Sequence, residues 1–548
     1  MEVRRTALLS AFLVGAALSA VPAAAARQPN VLLVIADDLA LSDMGASGGE
    51  IATPTLDSLA ASAARFSGFH VAPACSPTRA MLMTGTDHHR VGVSTMVEVA
   101  AANQRGKPGY EGFLSQKAVT VGEIFHHAGY ATIWSGKWHL GFQRDADPHR
   151  RGFDRSLALL HGAHDHFGGG YSPDPRLGNS ISRNGQVLAA LPPGFYSSTA
   201  FADHMVAELA GTPRAQPVFA VLSVSAPHWP VQAAAEDIAR QRGRYDEGWD
   251  ALAQARLARQ KSLGLVPADA TVPPPVRTSG GWAALSSEER KRQARLMEIY
   301  AAMVARMDQE LGRVIAELKR QGRFDDTLIL FLSDNGPESL DFRTTNLAPL
   351  VDRWKAARNS LEMLGGPGSF DSYGAGWAEA SAAPGRMFKA WSTEGGTRAP
   401  LLIVPPGHAR AGAGRVVPGF THVMDLVPTL MDYAGIADHG TRFAGRAVEP
   451  IRGRSLRAMV EGRADLARPE GKMVAGELFG QRSVFDGRWK ALDTGDGQWR
   501  LFDIDADPSE LRDRAADEPD RMLRMAAFWA MWAREVRLVL PDNPPYRP

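Results

Sequence analysis

Four stretches of this chain share one pattern, an unbroken apolar run of β-type residues that stops abruptly at a polar cluster. Residues 31–36 run into Asp37-Asp38, 131–134 lead to Lys137, 218–224 precede His228, and 327–332 stop at Asp334-Asn335. A strand with one wet face alternates apolar and polar residues, so unbroken runs suit strands covered on both faces. Helical periodicity fills the intervals, over 55–65, 119–128, 198–210 and 286–320. Strand–helix alternation of this length predicts an α/β fold with a large, mostly parallel sheet sandwiched by helices. Ligands of such sheets sit beyond the carboxyl ends of the strands. All four polar clusters fall there.

The pattern changes after about residue 440. Short strand candidates at 473–478, 482–485, 489–492 and 499–503 are joined by turn signals such as Asp486-Gly487, and a helical pattern follows over 518–536. A small C-terminal antiparallel sheet plus one helix is expected, giving a division into 1–26, 27–440 and 441–548. Residues 339–385, rich in Gly, Pro and mixed polar residues, read as a long insertion near the site. At the other end, Arg4 and Arg5 precede an apolar run over 7–21, then Pro22 and four alanines. That order is expected of a signal peptide cut near Ala25 or Ala26, and hence of a periplasmic or secreted protein. The arginine pair leaves twin-arginine and general export both open. No later run is long and uncharged enough to span a bilayer, so no membrane association is expected after cleavage. Lys plus Arg number 61 against 60 Asp plus Glu, which argues against a nucleic-acid partner.

Composition matters most at Cys75, the single cysteine. Exported proteins commonly pair cysteines as disulfides, which one cysteine cannot do within its own chain. It is either a small buried hydrophobe or a working residue. Ser76 and Pro77 read as a helix start, 78–84 as the helix and Gly85 as its stop. Cys75 is therefore expected just before a helix N-terminus, where free N–H groups favour anions, with Arg79 one turn on pointing back. Asp37-Asp38 reads as either a solvated turn or half of a cation site, and Ser333-Asp334-Asn335-Gly336 as either a turn or the other half. Asp37, Asp38, Asp334 and Asn335 offer only oxygen donors, a set that selects Ca²⁺ or Mg²⁺ over zinc. Lys137 and His139, two apart at a strand end, are expected on one face. His88-His89, His126-His127 and His161, His164 and His166 are read as ordinary histidines rather than zinc ligands, the last three as candidates to line a pocket.

Cys75-Ser76-Pro77-Thr78-Arg79 followed by Leu82-Met83-Thr84-Gly85 resembles the signature of the type I sulfatases, within the alkaline-phosphatase-like superfamily. The resemblance continues through Ala36-Asp37-Asp38-Leu39, Gly136-Lys137-Trp138-His139-Leu140-Gly141, Ala226-Pro227-His228-Trp229-Pro230, Ser333-Asp334-Asn335-Gly336, and Lys389 before Glu394-Gly395-Gly396-Thr397-Arg398. It keeps the motif order of bacterial arylsulfatases and makes 27–440 the catalytic domain. It implies hydrolysis of small-molecule sulfate monoesters to an alcohol or phenol and inorganic sulfate. It further implies that a formylglycine-generating maturation enzyme converts Cys75 to formylglycine (3-oxoalanine). One divalent ion, calcium first and magnesium as the alternative, would be held by Asp37, Asp38, Asp334, Asn335 and the modified Cys75. Arg79, Lys137, His139, His228 and Lys389 would handle charge and protons, with His228 serving the leaving alcohol and His139 the formylglycine hydroxyl. The net positive charge of that set leads us to expect inhibition by sulfate and phosphate. Two other activities fit the same motifs: hydrolysis of phosphonate or phosphate diesters, and non-catalytic binding of sulfated glycans.

Overall fold

Asn30–Ala36 (β1) forms the middle of a ten-stranded sheet. The computed structural model describes residues 28–169, 180–276, 281–345, 347–407 and 414–546; the expected leader lies outside the described residues. Thr327–Ser333 (β8) and Val218–Ser223 (β7) flank β1 in parallel, Ala131–Lys137 (β3) follows β7, and Arg155–Leu159 (β4) follows β3. Leu401–Val404 (β9) joins β8 antiparallel and leads to Ala64–Phe66 (β2) and Arg415–Val417 (β10). Ile181–Arg183 (β5) and Gln186–Val187 (β6) close the far edge. The sheet is mixed, mostly parallel, and buried on both faces at its centre.

That double burial explains the unbroken apolar runs. Leu32 and Val34 of β1 face one core with Ile329 and Phe331, while Val31, Leu33 and Ile35 face the other with Leu328, Leu330 and Leu332. The first core is covered by Ser197–Ala210 (α4) and Ser287–Arg320 (α6), the second by Cys75–Thr84 (α2), Val121–His127 (α3) and Leu426–Ala434 (α9). Thr120 and Glu123 form a capping box at α3, and the Ser286 hydroxyl caps α6 through the Glu289 amide.

The helix expected over 55–65 is shorter. Pro54–Ala60 (α1) stops, and 64–66 leave it to become β2, because pairing with β9 and β10 outweighs local helical preference. The insertion 339–385 carries two helices, Ala348–Ala356 (α7) and Gly374–Ala382 (α8). Its Tyr373 stacks on Tyr300 at 4.4 Å and its Trp377 is fully buried, so much of it is core rather than loop. Gly248–Ser262 (α5) has no counterpart in the sequence expectations.

At the C-terminal end, Val474–Leu478 (β11), Gln481–Asp486 (β12), Trp489–Asp493 (β13) and Arg500–Asp503 (β14) form an antiparallel sheet. Pro519–Glu535 (α10) packs Met525, Trp529 and Trp532 against it. Among the described residues no helix is long and apolar enough to cross a membrane.

Candidate active site

Register assembles the site. β1 and β8 pair Ala36 with Ser333, so Asp37-Asp38 and Asp334-Asn335 leave the sheet side by side. β7 aligns Ser223 with both Ile35 and Gly136, which brings the end of β3, with Lys137, to the same rim. Gly136 stands at φ +119°, and a Cβ there would lie 1.8 Å from the Ser223 carbonyl oxygen; only glycine lets the strands approach so closely. Asp38 (φ 68°), His139 (φ 56°) and Ala390 (φ 74°) also hold left-handed backbone, so strain concentrates at this rim.

Cys75 is the first residue of α2, not the residue before it. Ala74 takes the capping position and the buried Ser76 hydroxyl caps nothing, a correction to the expected helix start. Pro77 still falls in the first turn, where its missing N–H costs nothing. The Cys75 Sγ lies 3.5 Å from Asp37 Oδ1 and 3.9 Å from Asp38 Oδ1. Arg79 turns into the rim, where Nε donates to Asp334 Oδ2 at 2.7 Å and Nη1 to Ser223 Oγ and the Lys137 carbonyl.

Lys137 Nζ contacts both oxygens of Asp37 at 2.8 and 2.7 Å, and Lys389 Nζ both oxygens of Asp38 at 2.9 and 3.0 Å. Lys389 also meets Glu338 at 3.2 Å. His228 Nε2 lies 3.6 Å from Asp38 Oδ2, with Nδ1 2.7 Å from the Trp229 carbonyl oxygen. Asn335 Nδ2 donates to Asp38 Oδ1 at 2.6 Å, and Asp334 Oδ1 accepts from the Asp38 amide. Asp37, Asp38, Cys75, Arg79, Lys137, His228, Asp334, Asn335 and Lys389 thus converge. His139 lies just beyond the end of β3 and pairs its Nε2 with Glu98 Oε1 at 2.9 Å. Its turned backbone breaks the two-residue alternation that was expected to put it on the same face as Lys137.

Burial dominates the electrostatics. It raises Asp38 to about 7 despite Lys389, and raises Asp37 despite Lys137. Asp334 is buried too, but Arg79 and then the two lysines hold it below the ordinary carboxylate range. Burial pushes the Cys75 thiol well above its usual value in spite of both lysines. Burial, then Lys389 and Lys137, push His228 well below the usual imidazole range, leaving it neutral.

The donor set suits a hard cation. Asn335 Oδ1 is buried with no hydrogen-bond partner among the described residues, beside carboxylates that burial makes reluctant to ionise. A divalent ion among these oxygens would relieve both conditions.

The Sulfatase family model matches residues 29–436. An arylsulfatase of Klebsiella aerogenes is 38% identical over 80% of this chain and 93% of its own length. The chain belongs to the sulfatase family. An uncharacterized sulfatase of Schizosaccharomyces pombe is also 38% identical, over 95% of this chain and 96% of that protein. Among solved structures, Ps i-CgsB in complex with k-i-k-neocarrahexaose superposes with a TM-score of 0.66 at 22% identity, covering 95% of both chains. This sulfatase therefore has the alkaline-phosphatase-like fold and hydrolyses sulfate esters.

Several contacts of the sulfatase site lie outside the sequence motifs. Glu98 sits in a single 3-10 turn, Val97–Val99, with no signal of its own in the sequence. Glu338 lies two residues past Gly336 of the Asp334–Gly336 motif, and its charge there was a usable sign. His166 bonds Ser197 through Nδ1 and the His228 carbonyl through Nε2, so it holds the backbone of His228. His164 meets Ser225, and His161 stacks on Phe142. Asp87, His88 and His89 form a second buried group, in which His89 bridges Asp87 and Glu477.

Proposed function

We propose that this sulfatase is an exported aryl-sulfate hydrolase that works through a formylglycine made from Cys75 by a maturation enzyme. The observation that carries the reading is the state of Cys75 itself. Its thiol is buried and held protonated, yet it lies at a helix start among two carboxylates and two lysines. A thiol so placed is a weak nucleophile, whereas an oxygen nucleophile at that point would face a cation and two ammonium groups. Asp37, Asp38, Asp334, Asn335 and the converted Cys75 would hold the metal, calcium in preference to magnesium. When bound, the cation polarises the sulfuryl group and acidifies a hydroxyl, and the hydrated aldehyde supplies the attacking oxygen.

The remaining work falls to side chains of this chain. Lys137, on Asp37, and Lys389, on Asp38, are suited to holding the sulfuryl oxygens, while Arg79 fixes Asp334. His228 presents Nε2 toward the cluster with Nδ1–H directed at the Trp229 carbonyl; burial, then lysine charge, keeps it neutral, and a bound sulfate ester offsets that lysine charge and favours the form protonated on Nε2. It is placed to protonate the leaving oxygen. His139, oriented by Glu98, serves the other proton. The test is hydrolysis of 4-nitrophenyl sulfate by protein made with a maturation enzyme. Turnover that disappears in Cys75→Ala and after chelation supports the reading; turnover that survives either change refutes it.

A further inference from the structure

Three stretches of chain, distant in sequence, wall one cavity of about 430 Å³: residues 98–102 with Arg105, a part of the insertion at Leu340, Thr345 and Leu347, and the C-terminal tail at Asp542, Asn543, Pro545 and Tyr546. Two contacts tie this cavity to the catalytic rim. Glu98, on one wall, is the partner of His139. Tyr546, on the other, packs at 5.0 Å on Phe479 in a small apolar cluster with Ala74 and Ala390. Those alanines are the chain neighbours of Cys75 and Lys389. Burial and the Glu338 carboxylate raise the Tyr546 phenol while Lys389 opposes them, so the ring stands within electrostatic reach of that lysine.

The tail is fastened in place. Asn103 Nδ2 donates to the Leu540 carbonyl and Gln104 Nε2 to that of Val539, both at 2.8 Å. The Tyr110 hydroxyl donates to the Val539 carbonyl at 2.9 Å and accepts from its amide at 3.0 Å. The Asp542 amide returns to Asn103 Oδ1. Pro541 and Pro544 rest against Gly480 at the tip of the β11–β12 hairpin. Residues 539–546 thus stand as a fixed wall of this cavity.

We propose that this cavity receives the organic half of the sulfate ester and that Tyr546 is a specificity-determining residue contacting it. The proposal rests on the sulfatase reading of the rim. With the sulfuryl group among Lys137 and Lys389, the substituent on the leaving oxygen needs a second space, and this one adjoins both the His139 partner and the Lys389 segment. Val99, Ala100, Leu340, Leu347 and Pro545 make its lining largely apolar, with Tyr546 as its aromatic ring. The apolar share of the lining suits a flat aromatic ring, while Glu98, Arg105, Thr345, Asp542 and Asn543 add polar groups to the same walls.

The test uses the full converted protein, the variants Tyr546→Ala and Tyr546→Phe, and a chain ending at Asp542, which retains the Asn103, Gln104 and Tyr110 anchors. Steady-state kinetics with 4-nitrophenyl sulfate are compared with inhibition by inorganic sulfate, which needs only the rim. We expect Tyr546→Ala and the shortened chain to lose about 10-fold in kcat/KM, mainly through KM, and Tyr546→Phe to stay near wild type. Sulfate inhibition is expected to be unchanged in all three. Unchanged kcat/KM in both Tyr546→Ala and the shortened chain overturns the proposal. So does a parallel loss of sulfate inhibition, which marks damage to the rim, or a wild-type preference for a sulfated sugar over an aryl sulfate that Tyr546→Ala leaves unchanged. If the wild type hydrolyses no sulfate ester, the reading of the rim fails by itself. Direct binding of 4-nitrophenyl sulfate to wild type and Tyr546→Ala then decides the pocket.

Discussion

Two histidines with different surroundings stand at the rim, and their surroundings predict different phenotypes. His228 is held from behind by His166 and faces Asp38. If it protonates the leaving oxygen, His228→Ala costs more for phenols of high pKa than for nitrophenol; equal losses across a leaving-group series would remove it from that role. His139 has a carboxylate partner, and its buried Nδ1 has no hydrogen-bond partner among the described residues. Glu98 therefore fixes which nitrogen carries the proton. Glu98→Gln is expected to lower kcat about 10- to 100-fold, part of what a positioned acid or base supplies, and to move the pH profile of kcat. A uniform loss with an unmoved pH profile would make Glu98 merely structural. The oxygen donors of Asp37, Asp38, Asp334 and Asn335 predict that calcium raises Tm and that chelation lowers it, read by thermal denaturation with and without the ion.

Among elements, the contact between α2 and the C-terminal sheet titrates. Just past the end of α2, His89 bonds Asp87 at 3.0 Å and Glu477 of β11 at 3.5 Å, and Trp532 of α10 donates to Asp87 Oδ2. Burial alone would depress His89, but Asp87 and Glu477 raise it to about 9. A histidine raised in the folded state contributes stability that is complete below its unfolded value, near 6.5, and lost as pH rises through 9. Wild type should lose Tm between pH 6.5 and 9.5 by more than His89→Gln does; identical pH dependence in the two would refute the contact as a titrating one. The central strands were legible because each carries a run of apolar residues buried on both faces, and the clusters at their ends followed from where ligands sit in such sheets. Helix α5 escaped because its inward face is mixed: Arg256, fully buried against Asp43 and Glu50, and Gln260 interrupt the apolar Trp249, Ala253 and Leu257 and weaken the apolar periodicity. Strand β2, three residues long, exists through its neighbours. Glu98 and Tyr546 reach the site through long-range packing that no local pattern encodes.

On the scale of the whole molecule, the C-terminal sheet supports one wall of the site. Lys490 of β13 bridges Glu394 at 2.9 Å and Glu510 at 2.8 Å, all fully buried, and His70 meets Glu394 from the other side. Glu394 lies five residues past Lys389, in a segment stitched to Pro73 and Pro337 by the amides of Ala390 and Lys389. The network therefore sets where Lys389 stands. Lys490→Met leaves two buried carboxylates without their cation, which typically costs about 3–5 kcal/mol. It should lower Tm sharply and reduce kcat in the fraction that remains folded; an unaltered Tm would refute the network as a support. The central claim is that the encoded cysteine is not the working residue, and one measurement addresses it directly. Mass spectrometry of the tryptic peptide ending at Arg79, on samples with graded exposure to the maturation enzyme, is set against their turnover of 4-nitrophenyl sulfate. We predict that the peptide loses the mass that separates a thiol from an aldehyde, and that activity rises in proportion to the converted fraction. Full activity from a sample whose Cys75 is entirely unmodified would contradict it.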